Sequence, residues 1–185
     1  MSAAELMTVG LIIGVNNFAV ALLLGALGQE GRRWRIAGVF GVFEFTIPLV
    51  GLLIGSVASD YLADAGRFIS ATLLVGLGLL AIREATAQDA SLDEHLAAKV
   101  TTWGGLMLLA AGLSMDNLVV GFALGLGDTD PFLLSAVIAS FAVAYTLLGL
   151  RLGTTSRRHW GRSAQAASGL LLILLAVAVA AGRFA

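Results

Sequence analysis

The chain has 185 residues, of which 58% are hydrophobic and only 12% charged, against about a quarter charged in a soluble domain. So few polar side chains cannot cover a soluble surface of this size, and the complete lack of cysteine excludes disulfides and thiolate metal sites. The net charge of −1 decides nothing, because the charges sit in short clusters between long apolar runs.

A bilayer core takes about 20 apolar residues per helix. The sequence offers six such runs, at 5–28, 34–58, 66–84, 101–126, 132–153 and 162–183. The first does not read as a signal peptide, since Met-Ser-Ala-Ala-Glu has no positive region and the apolar stretch is too long. The expected architecture is an all-α integral membrane protein. It divides into a first three-helix repeat at 1–84, a cytoplasmic linker at 85–100 with Asp89, Asp93, Glu94 and Lys99, and a second three-helix repeat at 101–185.

Basic residues set the orientation. Arg32, Arg33 and Arg35 lie between spans one and two, Arg83 and Lys99 flank the linker, and Arg151, Arg157, Arg158 and Arg162 lie around the connection between spans five and six. Only Arg67 and Arg183 fall on the other side. Positive residues stay in the cytoplasm, so both termini are expected outside.

The chain also matches itself at an offset of 100 residues. Gly14-Val-Asn16-Asn17 falls on Ser114-Met-Asp116-Asn117, Gly25 on Gly125, and Thr46 on Thr146. Three spans per half is an odd number, so the halves must be inverted relative to each other. Such repeats build secondary transporters with a site near the midplane.

Polar groups at mid-bilayer are expensive and mark function by default. Asn16 and Asn17 sit halfway along span one, Glu44 along span two, and Asp116 with Asn117 along span four. Pro48 lies four residues after Glu44, where its ring displaces the Glu44 carbonyl from the helix ladder. These donors are all oxygen, with Thr46, Ser114, Thr146 and Tyr145 in reserve, and oxygen-rich sites suit hard cations such as Mg, Ca and Mn. Two carboxylates balance one divalent ion. Without the ion they repel, which makes metal release coupled to proton uptake the expected cycle. Pairs such as Gly51/Gly55, Gly121/Gly125 and Gly149/Gly153 read as close helix contacts without chemistry.

These motifs resemble those of the MntP family of bacterial manganese efflux pumps. Ser114-Met-Asp116-Asn117-Leu-Val-Val-Gly121 is similar to that family's first-helix motif, and Glu44, Pro48 and Gly51 match its second-helix Glu-x-x-x-Pro-x-x-Gly pattern. Asn16 departs from it, standing where similar proteins have Asp. The resemblance implies a six-span exporter of Mn2+ in the bacterial inner membrane. Asn16, Asn17, Glu44, Asp116 and Asn117 would be its metal ligands, with Thr46, Pro48, Ser114 and Thr146 in support. The divalent cation, protons and the lipid bilayer are then the partners, with no resident cofactor and no nucleic acid. Export of an amino acid or other small solute, as in the lysine-exporter class, is the alternative. An enzyme is not expected, because hydrolases need His with Ser or with Glu and zinc, and His95 and His159 both fall in connections.

Overall fold

The computed structural model describes residues 2–62, 65–87, 100–127, 129–154, 170, 173–177 and 179–181. The helices are α1 (Ala3–Ala26), α2 (Arg33–Leu62), α3 (Gly66–Ala87), α4 (Trp103–Gly125) and α5 (Pro131–Gly153), with a 3-10 turn at Gln29–Arg32 before α2. Residues 173–177 and 179–180 are also helical. Most of the linker, with His95, and the Arg157–Arg162 cluster, with His159, lie outside the described residues.

The sequence builds the helix ends by ordinary capping. Ser2 and Glu5 form a reciprocal capping box on α1, Thr102 accepts from the Gly105 amide at 3.1 Å to start α4, and Asp130 accepts from the Phe132 and Leu133 amides to start α5. Each satisfies donors the first turn leaves open. Pro131 takes the first position of α5, where its missing N–H is harmless. The chain leaves α1 through Gly28 at φ 77°, a left-handed conformation open to glycine.

Four of the described helical segments are long and apolar enough to cross a membrane, at Ala3–Ala26, Gln29–Leu62, Trp103–Gly125 and Pro131–Gly153. A shorter apolar stretch runs over Phe68–Leu80 in α3. Large apolar side chains also cover the outside, including Trp34, Val57, Phe68, Trp103 and Leu108, each more than half exposed. A water-soluble monomer does not carry so much exposed apolar surface. The chain is a multi-pass membrane protein.

Two apolar cores divide the bundle along its length. One gathers Leu6, Val9, Ile12 and Ile13 of α1 with Leu52 of α2, Val120 and Leu124 of α4, and Leu134 and Ile138 of α5. The other gathers Ala21 and Leu24 of α1 with Ile36 and Phe40, Leu106 and Ala110, and Leu150. Early α1 therefore meets late α4, and late α1 meets early α4, so these two helices run in opposite directions. The same reasoning sets α2 against α5. Between the cores, at the middle of α1, α2 and α4, lie the polar residues singled out above.

The long contacts join helices from different parts of the chain. α1 lies along α5, α2 lies along α4 and packs extensively on α5 as well, and α3 rests on α4. Glycine makes the first two contacts closer than side chains permit. A Cβ on Gly149 would fall 2.9 Å from the Phe18 carbonyl oxygen, and one on Gly153 would fall 2.1 Å from that of Leu22. On the other side, a Cβ on Gly51 would fall 2.2 Å from the Leu118 oxygen, and one on Gly55 would fall 2.3 Å from that of Phe122.

These contacts correct one sequence expectation. Leu118 and Phe122 stand 100 residues after Phe18 and Leu22, but Gly149 and Gly153 stand 98 after Gly51 and Gly55. The glycine contacts thus repeat at a spacing of 100 residues between α1 and α4 but of 98 between α2 and α5. Thr146 corresponds to Pro48, Ala142 to Glu44, and Thr46 to Ala144.

Candidate metal centre

Glu44 projects from α2 toward α4 and is 1% exposed. Ser114 donates its hydroxyl to Glu44 Oε1 at 2.9 Å, and Asn117 donates its amide to Oε2 at 2.6 Å. Both partners belong to one face of α4, since residues three apart on a helix are neighbours. Both are buried. A carboxylate here has left water behind and is held by oriented donors, which offsets part of a large desolvation penalty.

Asp116 extends the group toward α1. Its Oδ2 accepts from the Asn16 amide at 3.2 Å, and its Oδ1 from the Asn117 backbone N–H at 2.9 Å. Asn16 and Asp116 are separated by 100 residues, so the sequence match pairs two positions that meet in space. The bond is half-buried and lies midway along both helices.

Asn17 closes the group. It is 1% exposed and lies beside the Glu44 carboxylate, yet neither amide atom reaches hydrogen-bond geometry with any group. The residues of α5 explain the difference from Asn117, since positions 142 and 144 are both alanine. Asn117 faces Glu44, whereas the equivalent of Glu44 on α5 is Ala142, which has nothing to offer Asn17. Burying an amide without partners is unfavourable by about 1–3 kcal/mol.

The supporting residues separate. Ser114 sits in the group. Thr146 is fully buried with its hydroxyl unpaired. Pro48 is buried inside an unbroken α2, and its carbonyl oxygen lies 2.4 Å from where a Gly121 Cβ would stand, so its backbone is a contact surface for α4. Thr46 does not join the group. It is exposed, donates its hydroxyl to the Val42 carbonyl at 2.8 Å, and lines an outward-facing groove of about 650 Å³ with Gly41, Phe45, Ala139 and Val143. Residues 44 and 46 of one helix point about 200° apart, so both could not face α4. The glycine pairs carried the signal for this register, because their spacing across the halves is 98 residues, from 51 to 149 and from 55 to 153.

Chemically the group offers two carboxylates and three carboxamides in one mid-bundle layer, with Glu44, Asn17 and Asn117 buried and Asn16 and Asp116 half-buried. Among the described residues no cluster holds three or more His, Cys, Asp or Glu side chains. The donors of the group are oxygens, the kind that suits hard cations.

A family model described as "Putative manganese efflux pump" matches residues 29–180. The chain belongs to this family. A relative carrying that description and the name MntP in Neisseria gonorrhoeae is 33% identical over 178 residues, covering 95% of this chain and 93% of the relative. Those of Syntrophobacter fumaroxidans and Alcanivorax borkumensis are 31% and 30% identical, covering 96% and 99% of this chain and 97% and 100% of their own lengths. No solved structure matches the chain.

Proposed function

We propose that this chain exports Mn2+ across the bacterial inner membrane, taking the ion at Glu44 and Asp116 with the amide oxygens of Asn16, Asn17 and Asn117. Ser114 orients Glu44, and the Thr146 hydroxyl is a further buried donor. The family's printed description supplies the ion. One observation carries the site: the Glu44 carboxylate, 1% exposed, is held by Ser114 and Asn117 between two apolar cores. A charge at that depth is functional by default.

The reading includes six spans in two inverted three-helix halves, 1–84 and 101–185, with both termini outside. The opposed directions of α1 and α4 and the duplicated glycine contacts support it. Release of the ion leaves the buried Glu44 carboxylate in the same group as the half-buried Asp116, so antiport of protons completes the cycle.

The test is growth of bacteria lacking their own exporters on a panel of toxic divalent metals. The wild-type chain restores tolerance to manganese, and Asp116→Ala does not. Protection against no metal, or equal protection by the variant, overturns the reading.

A further inference from the structure

The geometry points to two rigid bodies that do not coincide with the two halves of the sequence. One is α1 with α5, and the other is α2 with α4 and α3. The ion site is built on the second body, and the first contributes Asn16 and Asn17 as ligands in only one of two states. This rests on the reading of the site as a cation-transport centre.

The kind of contact separates the bodies. Within each, one part of the contact is backbone against backbone, although early α1 meets α5 through side chains, with Gly10 and Gly14 against Phe141 and Tyr145. Gly25 and Gly153 lie against each other and against the Leu150 and Leu22 carbonyls, while Gly55 and Gly125 do the same with those of Phe122 and Leu52. Where a helix is seated on its neighbour's carbonyl oxygens, no side chain is left to repack at that point, which resists sliding there. α3 rides with the second body, because Ser70 donates to the Ala123 carbonyl of α4 at 2.5 Å.

Between the bodies the contacts are of another kind. Where α2 meets α5, a Cβ on Gly41 would meet only the Val143 side chain, at 2.6 Å, and the interface opens into the groove of about 650 Å³. Where α1 meets α4, the contact is local and its hydrogen bond is Asn16 to Asp116 at 3.2 Å. Side-chain interfaces of this sort permit small sliding motions.

The site divides along the same line. Glu44, Ser114, Asp116 and Asn117 all stand on α2 and α4, with their bonds to each other inside one body. Asn16 and Asn17 stand on α1. Rotation of one body against the other would draw these two amides away and leave both carboxylates with the ion. Asn17 lies beside Glu44 outside hydrogen-bond geometry, so it is held to the second body less firmly than Asn117 is to Glu44.

The native chain has no cysteine, so paired thiols can be placed cleanly. Gly41→Cys with Val143→Cys ties the bodies together. Gly66→Cys with Leu126→Cys ties α3 to α4 within one body, at a Cβ separation of 3.7 Å that suits a disulfide. Both are assayed for Mn2+ transport in liposomes, reduced and oxidised. Oxidation is expected to lower transport at least tenfold in the Gly41/Val143 pair, with recovery on reduction, and to change it less than twofold in the Gly66/Leu126 pair. Transport above half its reduced rate in the oxidised Gly41/Val143 protein overturns the inference, as does an equal loss in the other pair.

A second measurement does not depend on the ion. Nitroxide labels at Trp34 and Leu152 span the bodies, and labels at Trp34 and Leu108 lie within one. In metal-free protein the first pair should give two distances and the second a single one. The same spread in both pairs overturns the inference. Absence of Mn2+ transport by the cysteine-free protein overturns the exporter reading instead and leaves the distances to decide the bodies.

Discussion

The α2–α4 contact and the α1–α5 contact share one scaffold and differ in chemistry. Each seats two glycines of one helix on carbonyl oxygens of the other, at positions related by 98 and 100 residues. Yet Glu44, Ser114 and Pro48 on one side correspond to Ala142, Gly14 and Thr146 on the other. Close packing has been kept twice, while the carboxylate and its hydroxyl donor stand once. A duplicated fold therefore does not mean a duplicated site. The carboxylate group gathers on α2 and α4, and the matching face supplies Asn17.

Removing the chemistry should have the largest effect. Glu44→Ala and Asp116→Ala delete proposed direct ligands, so Mn2+ transport in liposomes should fall by more than the ~10–100-fold typical of losing an outer-shell partner. Ala142→Ser, at the matching position, should leave transport within about twofold. A matching loss in Ala142→Ser would break the comparison, because it would make both faces part of the site.

Damaging the scaffold should affect both sides alike. A Cβ would fall 2.1 Å from the Leu22 oxygen at Gly153 and 2.3 Å from the Phe122 oxygen at Gly55. Gly153→Ala and Gly55→Ala should each destabilise the protein by about 1–3 kcal/mol, as overpacking does, read as a drop in thermal unfolding temperature in detergent. Tolerance of one and loss of the other would show that the two contacts are not equivalent.

Much of this was legible beforehand for a physical reason. Apolar runs mark spans because lipid demands length, so the expected 34–58, 101–126 and 132–153 agree within a few residues with Arg33–Leu62, Trp103–Gly125 and Pro131–Gly153. Glu44, Asn16 and Asp116 stood out because polar groups at depth are rare. The partner of each helix was not legible. Lipid tails and protein interior are equally apolar, so a membrane helix carries no clear polar face to say which side packs. That is why the sequence alone pairs Thr46 with Thr146. The threonines match by letter, whereas the glycines match by contact.

A smaller difference is expected between the paired asparagines. Asn117 donates to Glu44 at 2.6 Å, and Asn17 makes no hydrogen bond. Asn117→Ala leaves a buried carboxylate oxygen unpaired and should destabilise by about 1–3 kcal/mol. Asn17→Ala removes two orphaned groups together with some packing, so its effect on unfolding should be well below that of Asn117→Ala. Equal losses would mean that Asn17 holds Glu44 as firmly as Asn117 does.

The smallest effect distinguishes the two registers. At an offset of 100, Thr46 and Thr146 are equivalent and should respond alike to valine. At 98 they are not. Thr46 is exposed and already returns its hydroxyl to the Val42 carbonyl, while Thr146 is fully buried with its hydroxyl unpaired. Thr46→Val should thus change stability by less than about 0.5 kcal/mol, as surface substitutions do. Thr146→Val keeps the shape and removes a buried orphan, so it should raise the unfolding temperature, by up to the ~1–3 kcal/mol such a group forfeits. If Thr146→Val instead lowered stability, the hydroxyl would have a partner and the register of 98 would lose its support there. If both variants behaved alike, the threonines would be equivalent after all, and the fold would follow the simple offset of 100.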